Sequence, residues 1–470
     1  MKEFFKSFFS FGIATTIEKL LAFILLPIYA RLFSTTEYGT IDLCQMILGV
    51  VTVFAVLQLE TSLQRYYFHW DGDEKKIFLS TILIVVLSLS IIISILICLF
   101  ANELSIVLFS YPNNSLLIIL SAFELPFINF TILGLLILRY EKKNLLFATQ
   151  IFIKVVVLLM LTLIFVVSMK GGIIWVFICQ LLTLILSSIV LFFNIRKFLL
   201  FSFSFVYLKM SLKYALPQFP ARMGSVLMIY SNRWFMIGFL STATIGLYSF
   251  SLKLASTVQV LGTAFMMAWL PFMYEQFKNM NHRNIFSKVM PLVSGILFLL
   301  VIIISLLSED IVGIIASNDF KESYKYIGSL SLYFALVIVK EVIDIGPKLT
   351  EKTIYISYNY FISLLINVVS MYFFIKYWGV NGVVYSMLLT YMVLTIISWI
   401  VSNRLYYIPF SKRRFLFLAT PAFFISLYVM HFNVNFIVRY ILLLLLSLGY
   451  GWIIFKDYKH LKKTIVLGKV

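Results

Sequence analysis

Between Lys76 and Glu103 the chain reads IFLSTILIVVLSLSIIISILICLFAN, a run without a charged residue. At roughly 1.5 Å per residue a helix of that length exceeds the ~30 Å hydrocarbon core of a bilayer. Lipid offers no hydrogen bonds, so the backbone of such a segment must satisfy its own N–H and C=O groups, as a helix does. Comparable runs lie near 8–31, 40–62, 77–101, 115–138, 146–168, 172–194, 216–240, 244–270, 287–307, 328–347, 353–375, 379–402, 414–431 and 434–455. The expected fold class is therefore an all-α polytopic membrane protein with about 14 transmembrane helices. Only 12% of the residues are charged, against about 25% in a soluble domain.

The net charge of +18 does not point to nucleic acid, because the basic residues are spread along the chain instead of being gathered in one segment. Sorting of Lys and Arg into cytoplasmic loops accounts for them better. With a cytoplasmic N-terminus, only Arg31, Lys170, Lys321, Lys325, Lys376 and Arg439 fall in outside loops. That alternation places both termini in the cytoplasm. The N-terminal segment is read as an uncleaved first span, since its apolar region is long and interrupted by Glu18 and Lys19. Cys44, Cys98 and Cys179 sit in apolar runs, with no disulfide framework and no metal spacing.

An internal repeat is visible. LFSTTEYGTIDL (32–43) aligns with FLSTATIGLYSF (239–250) at an offset of 207, and YEKKN (140–144) aligns with TEKTI (350–354) at an offset of 210. The second offset also lays Gly172 on Gly382. The expected organisation is an N-terminal lobe of helices 1–6 (1–198) and a C-terminal lobe of helices 7–12 (199–408). Helices 13 and 14 with a basic tail complete the chain (409–470). Six helices per unit is an even number, so the two lobes are expected to be related by a pseudo-two-fold along the membrane normal. Between them NIRKFLLFSFSFVYLKMSLKYA (194–215) reads as a basic, aromatic linker at the membrane surface.

Charges inside spans cost at least about 2.5–3.5 kcal/mol each and usually have a role. Lys19 in helix 1, Arg222 and Arg233 in helix 7 and Lys253 in helix 8 have small or polar neighbours, as cations lining a cavity do. They are the candidate substrate-binding residues. Structural pairing of Lys19 with Glu18, Asp42 or Glu60 is the competing reading, and Arg222, near a helix end, can snorkel, as can Lys154. Glu124, midway along helix 4, with Glu18, Asp42 and Glu60, are the candidate ion-coupling carboxylates. Glu341 and Asp344 have Lys340 and Lys348 nearby to neutralise them. Pro217 and Pro220 are expected to bend helix 7.

The segments LPIYARLFSTTEYGTIDL (26–43), LRYEKKNLLFA (138–148), LPQFPARMGS (216–225), NRWFMIGFLSTATIGLYSFSLKLAS (232–256), AWLPFMYE (268–275) and KLTEKT (348–353) together resemble the Wzx-type polysaccharide-biosynthesis flippases. These belong to the multidrug/oligosaccharidyl-lipid/polysaccharide (MOP) exporter superfamily. The resemblance implies a transporter in a bacterial inner membrane. Its substrate would be an undecaprenyl-diphosphate-linked oligosaccharide repeat unit of O-antigen or capsule type, carried to the outer leaflet by alternating access through a cationic cavity. Membrane lipid, and a polysaccharide polymerase machinery, are the partners implied. No cofactor is expected beyond coupling to H+ or Na+, and no residue role transfers from the family with certainty. Two other classes compete: a multidrug exporter of the same superfamily, which would favour acidic pockets, and a membrane oligosaccharide polymerase or ligase, which would need a larger external loop than this chain has.

Overall fold

The computed structural model describes residues 21, 23–109, 112–277, 279–352 and 354–467, and those residues form helices, turns and loops without a strand. Ten helical segments among them are long and apolar enough to cross a bilayer. The protein is a multi-pass membrane protein of all-α fold, as expected. It divides into two compact units, Met1–Ile237 and Gly238–Val470.

The first unit contains α1 (Phe23–Leu32), α2 (Thr35–Val56), α3 (Leu59–Tyr66), α4 (Gly72–Leu99), α5 (Ala101–Phe109), α6 (Ser115–Tyr140), α7 (Asn144–Leu161), α8 (Gly172–Ile195) and α9 (Phe205–Ala215), and nearly all of α10 (Phe219–Phe239). Helix α7 continues as a π-helix over Thr162–Ser168. At the centre α6 packs against α2, α4 and α8. Leu48 and Ala55 of α2 meet Leu125 of α6 in the core. Polar side chains tie the same helices: Asn129 Nδ2 donates to Ser90 Oγ at 2.8 Å and Ser94 Oγ to the Ala122 carbonyl at 2.6 Å. Small hydroxyl and amide groups commonly hold membrane helices together this way.

The linker before α10 is anchored by hydroxyls. Ser80 Oγ accepts from the backbone N–H groups of Leu200 and Phe201, and Thr81 Oγ1 accepts from that of Ser204. Helix α9 then docks on α3 and α4, with Tyr207 against Trp70 and Tyr214 against Tyr66. The compact unit therefore extends past the lobe boundary expected at 198. Pro217 lies in a 3₁₀ turn (Leu216–Gln218) and Pro220 in the first turn of α10. They start that helix and do not bend it, because a first turn leaves its N–H groups unpaired and has no use for the one proline lacks.

The second unit begins with α11 (Thr242–Ala255) and α12 (Thr257–Gln276), which the sequence reads as one span. A single turn residue, Ser256, separates them; it keeps right-handed φ/ψ (−64°, −8°), and its N–H still donates to the Leu252 carbonyl. Ser256 Oγ donates to the Lys253 carbonyl at 2.6 Å, and Thr257 Oγ1 donates to that of Leu254, so side chains occupy carbonyls at the helix end. Next come α13 (His282–Ile315), α14 (Tyr324–Ile343), α15 (Ile345–Leu349), α16 (Ile354–Leu405), α17 (Lys412–His431) and α18 (Phe436–Leu467). Helices α13 and α14 form the centre, with α17 packed on both and α18 on α13. Arg439 of α18 reaches Glu309 of α13 at 2.9 Å, and Arg414 of α17 pairs with Asp457 of α18.

The repeat shows in local conformation. Ser34 and Ser241, aligned at the offset of 207, are both extended N-caps, of α2 and α11. Ser34 also completes a capping box with Glu37. Lys142 (φ 54°) takes a left-handed turn after α6, and Glu351 (φ 58°), one residue before the Lys352 that the offset of 210 lays on Lys142, takes one before α16. One alignment changes. The left-handed partner of Gly172 (φ 72°) is Gly379 (φ 55°), not Gly382. Gly379 breaks α16 into two helices with φ 55° and ψ −130°, a conformation open essentially to glycine alone.

Candidate functional site

Side chains of α10 meet α2 at several points. Arg233 Nε lies 3.2 Å from Asp42 Oδ2, and Nη2 lies 3.4 Å from Oδ1. Arg233 Nη1 also donates to Asn232 Oδ1 at 3.2 Å. Further along, Tyr230 lies against Gly49, where an added Cβ would come within 2.3 Å of the phenol oxygen. Phe219 meets Phe54 edge-on, with ring centroids 5.6 Å apart. From Asp42 through Gly49 to Phe54 the partners on α10 fall from Arg233 through Tyr230 to Phe219, so α10 runs antiparallel to α2, with an arginine–carboxylate pair near one end. Gly49 permits the close approach at the middle, where any side chain would strike the tyrosine.

The Arg233–Asp42 pair is mostly buried, with side-chain exposures of 10% and 22%. Two nearly parallel N–H···O contacts make it the forked pairing that guanidinium forms with carboxylates and phosphates alike. Arg222 is exposed, as are Ser225 and Ile229 of the same face. The structure thus sorts the candidates. Arg233, a substrate-binding candidate, comes together with Asp42, an ion-coupling candidate, whereas Arg222 and Glu60 form no ion pair among the described residues. Lys253 belongs to the second unit, exposed in the last turn of α11, where a cation complements the helix dipole. Its neighbours Gly246 and Ser249 are buried in packing. Lys19 and Glu18 lie outside the described residues.

Glu124 is in the interior of the first unit, 3% exposed. Among the described residues its Oε1 has no hydrogen-bond partner. Lys154 of α7 and Cys44 of α2 are within electrostatic reach, and the first unit also holds a small cavity lined by Cys44, Ile47, Leu48, Ile97, Ile118, Ser121 and Ala122. A carboxyl in such surroundings can hold a proton in one state and release it in another.

Each unit also holds a further charged cluster. In the second unit Lys340, 1% exposed, sits 2.6 Å from Asp344 Oδ2 and 3.0 Å from Glu341 Oε1, and Lys348 reaches Glu341 Oε2 at 2.9 Å. The four charges cancel, as their spacing in the sequence suggests. In the first unit Glu141, just past the end of α6, accepts from Lys75 Nζ at 2.7 Å and from Tyr67 Oη at 2.5 Å. The Tyr67 contact carries no signal in the sequence, since nothing in residue spacing brings these turns together. Burial alone would raise the Glu141 pKa, but the hydrogen bonds from Lys75 and Tyr67 and the charges of Lys75 and Lys143 outweigh it and hold the carboxyl below its usual range.

A carboxylate with a lowered pKa stabilises the fold fully above its unfolded pKa, about 4.3 for Glu. That stabilisation is lost as pH falls through the lowered value. Glu141→Gln is therefore expected to cost about 1–2 kcal/mol at pH 7 and to flatten the acid limb of the stability profile. Melting of the solubilised protein between about pH 7 and pH 3 checks this. An unchanged acid limb in the variant would show that Glu141 is not responsible for it.

Comparison with known proteins places this arrangement. No curated protein matches the chain. Among solved structures, the fold resembles the lipid II flippase MurJ in an inward closed conformation, with a TM-score of 0.71 and 19% identity over 95% of this chain and 99% of that one. It also resembles an inward-facing multidrug resistance MATE family transporter of the MOP superfamily (TM-score 0.64, 16% identity, 87% and 99% covered). A MATE transporter of Vibrio cholerae is similar at a TM-score of 0.58 and 14% identity, with 86% and 96% covered. At such identities the likeness carries the fold. The sequence profile of the polysaccharide biosynthesis proteins matches residues 4–277, more than half of the chain and including α2 and α10 with their paired charges. The protein belongs to the polysaccharide biosynthesis protein family and has the fold of the MOP superfamily.

Proposed function

We propose that the protein is a flippase that moves undecaprenyl-diphosphate-linked oligosaccharide units from the cytoplasmic to the outer leaflet of a bacterial inner membrane. Both of its termini lie in the cytoplasm, and the oligosaccharide is later polymerised by separate machinery. The observation that carries this reading is the family match over a segment holding the arginines of α10. A diphosphate headgroup with attached sugars cannot cross hydrocarbon bare. Fixed cations such as Arg222, Arg233 and Lys253 replace part of its hydration, with arginine suited to forked contacts and lysine acting as a point charge. The polyprenyl tail remains in lipid. Glu124 supplies coupling to an H+ or Na+ gradient.

The likeness to two MATE transporters favours a second reading, export of small molecules on the same fold. Purified protein in proteoliposomes separates the two. A fluorescent undecaprenyl-diphosphate-linked oligosaccharide should become accessible to an impermeant reagent at least about tenfold faster than in protein-free vesicles, a barrier difference of about 1.4 kcal/mol. Transport of a cationic dye with no acceleration of the lipid-linked sugar would overturn the flippase reading.

A further inference from the structure

We infer that Asp42 is an internal substitute for the anionic headgroup. It occupies the guanidinium of Arg233 while the site is empty and is displaced when a diphosphate binds. The inference rests on the flippase reading above and specifies how the site is held between substrates.

Three observations carry it. The Arg233 guanidinium meets Asp42 through Nε and Nη2, at 3.2 and 3.4 Å, an edge that a phosphate would otherwise engage. The carboxylate is the more exposed partner, 22% against 10%, so of the two it is the one more accessible to an incoming headgroup. The guanidinium is held independently as well, by Asn232 Oδ1 at 3.2 Å from Nη1, which keeps its orientation when Asp42 departs.

The physical logic is exchange of one anion for another. A mostly buried arginine without a counter-ion is costly, so an empty site needs an internal anion. A diphosphate carries more negative charge than one carboxylate and can engage the same fork. Exchange avoids leaving the guanidinium unpaired, and it also keeps binding weak enough for release, because the substrate must always compete with Asp42. Since Asp42 is on α2 and Arg233 on α10, occupancy would also break the contact that ties these helices at that end. Asp42 is on this account a positioning residue and not a ligand.

Binding of farnesyl diphosphate to the full chain in nanodiscs, followed by titration calorimetry, tests it with farnesol as the uncharged control. Asp42→Asn keeps the side-chain shape and removes the competing charge, and is expected to bind farnesyl diphosphate about tenfold more tightly than the wild type. Arg233→Ala is expected to bind it at least about tenfold more weakly, and Asp42→Glu, which retains the charge, to show no gain. A merely structural pair predicts that Asp42→Asn weakens binding as Arg233→Ala does. That result, or unchanged affinity in Asp42→Asn, overturns the inference. If Asp42→Asn fails to fold, gain of affinity in Asp42→Ser is the deciding measurement. Tighter binding in Asp42→Asn together with absent oligosaccharide flipping by the wild type would sustain the anion exchange and overturn the proposed substrate instead.

Discussion

Charge reversal at Arg233 is expected to abolish flipping, by at least about a hundredfold, equivalent to about 2.7 kcal/mol or more. Arg233→Glu sets a second carboxylate against Asp42 at a contact where the native atoms are 3.2 Å apart, so the pair becomes repulsive and the substrate loses its forked donor. Arg233→Ala is milder in sign but still severe. It removes the forked donor and takes away one partner of a mostly buried ion pair. Arg233→Lys keeps the charge and loses the fork, so partial transport is expected. The double exchange Asp42→Arg with Arg233→Asp separates stability from function. It should recover much of the lost thermal stability while transport stays low, because the cation has moved to the other helix. Initial flipping rates and melting temperatures of the same preparations check all four variants. Full-rate transport by normally folded Arg233→Ala would make the pair purely structural.

Glu124→Gln is expected to eliminate transport driven by an imposed ion gradient while leaving slow downhill exchange of the lipid. The substitution retains volume and hydrogen-bonding capacity and removes only ionisation. Glu124 is buried, with an oxygen that no described residue bonds, so a permanently neutral amide is tolerated by the packing. A carboxyl that alternates between protonated and charged forms differs in solvation between states, and that difference is what a gradient acts on. Accumulation with and without a pH or Na+ gradient, measured in the same vesicles, checks it. Equal gradient-driven accumulation in Glu124→Gln and the wild type would remove Glu124 from coupling.

Much of the fold was legible because a bilayer leaves a chain few options. Long apolar runs must be helices, and the N-caps Ser34 and Ser241 followed the aligned repeat. What failed was local. Gly382 aligned with Gly172, yet the left-handed turn is at Gly379, since three residues' difference in offset is within what a loop can absorb. The prolines at 217 and 220 read as a bend and serve as a helix start.

The site divides along the same line. Hydropathy marks Arg233, Asp42 and Glu124 individually, because each charge in an apolar run is an exception that energy alone makes conspicuous. Sequence spacing could not say that Arg233 is paired with Asp42, 191 positions away, nor that Tyr230 rests on Gly49. A helix reports its own face through a period of 3.6, but it carries no record of which helix meets that face. The sequence by itself determined the solvent, the helices and the residues that are costly to bury. Tertiary structure decided which costs cancel, since partners on different helices are chosen by packing between helices and not by the order of residues along one.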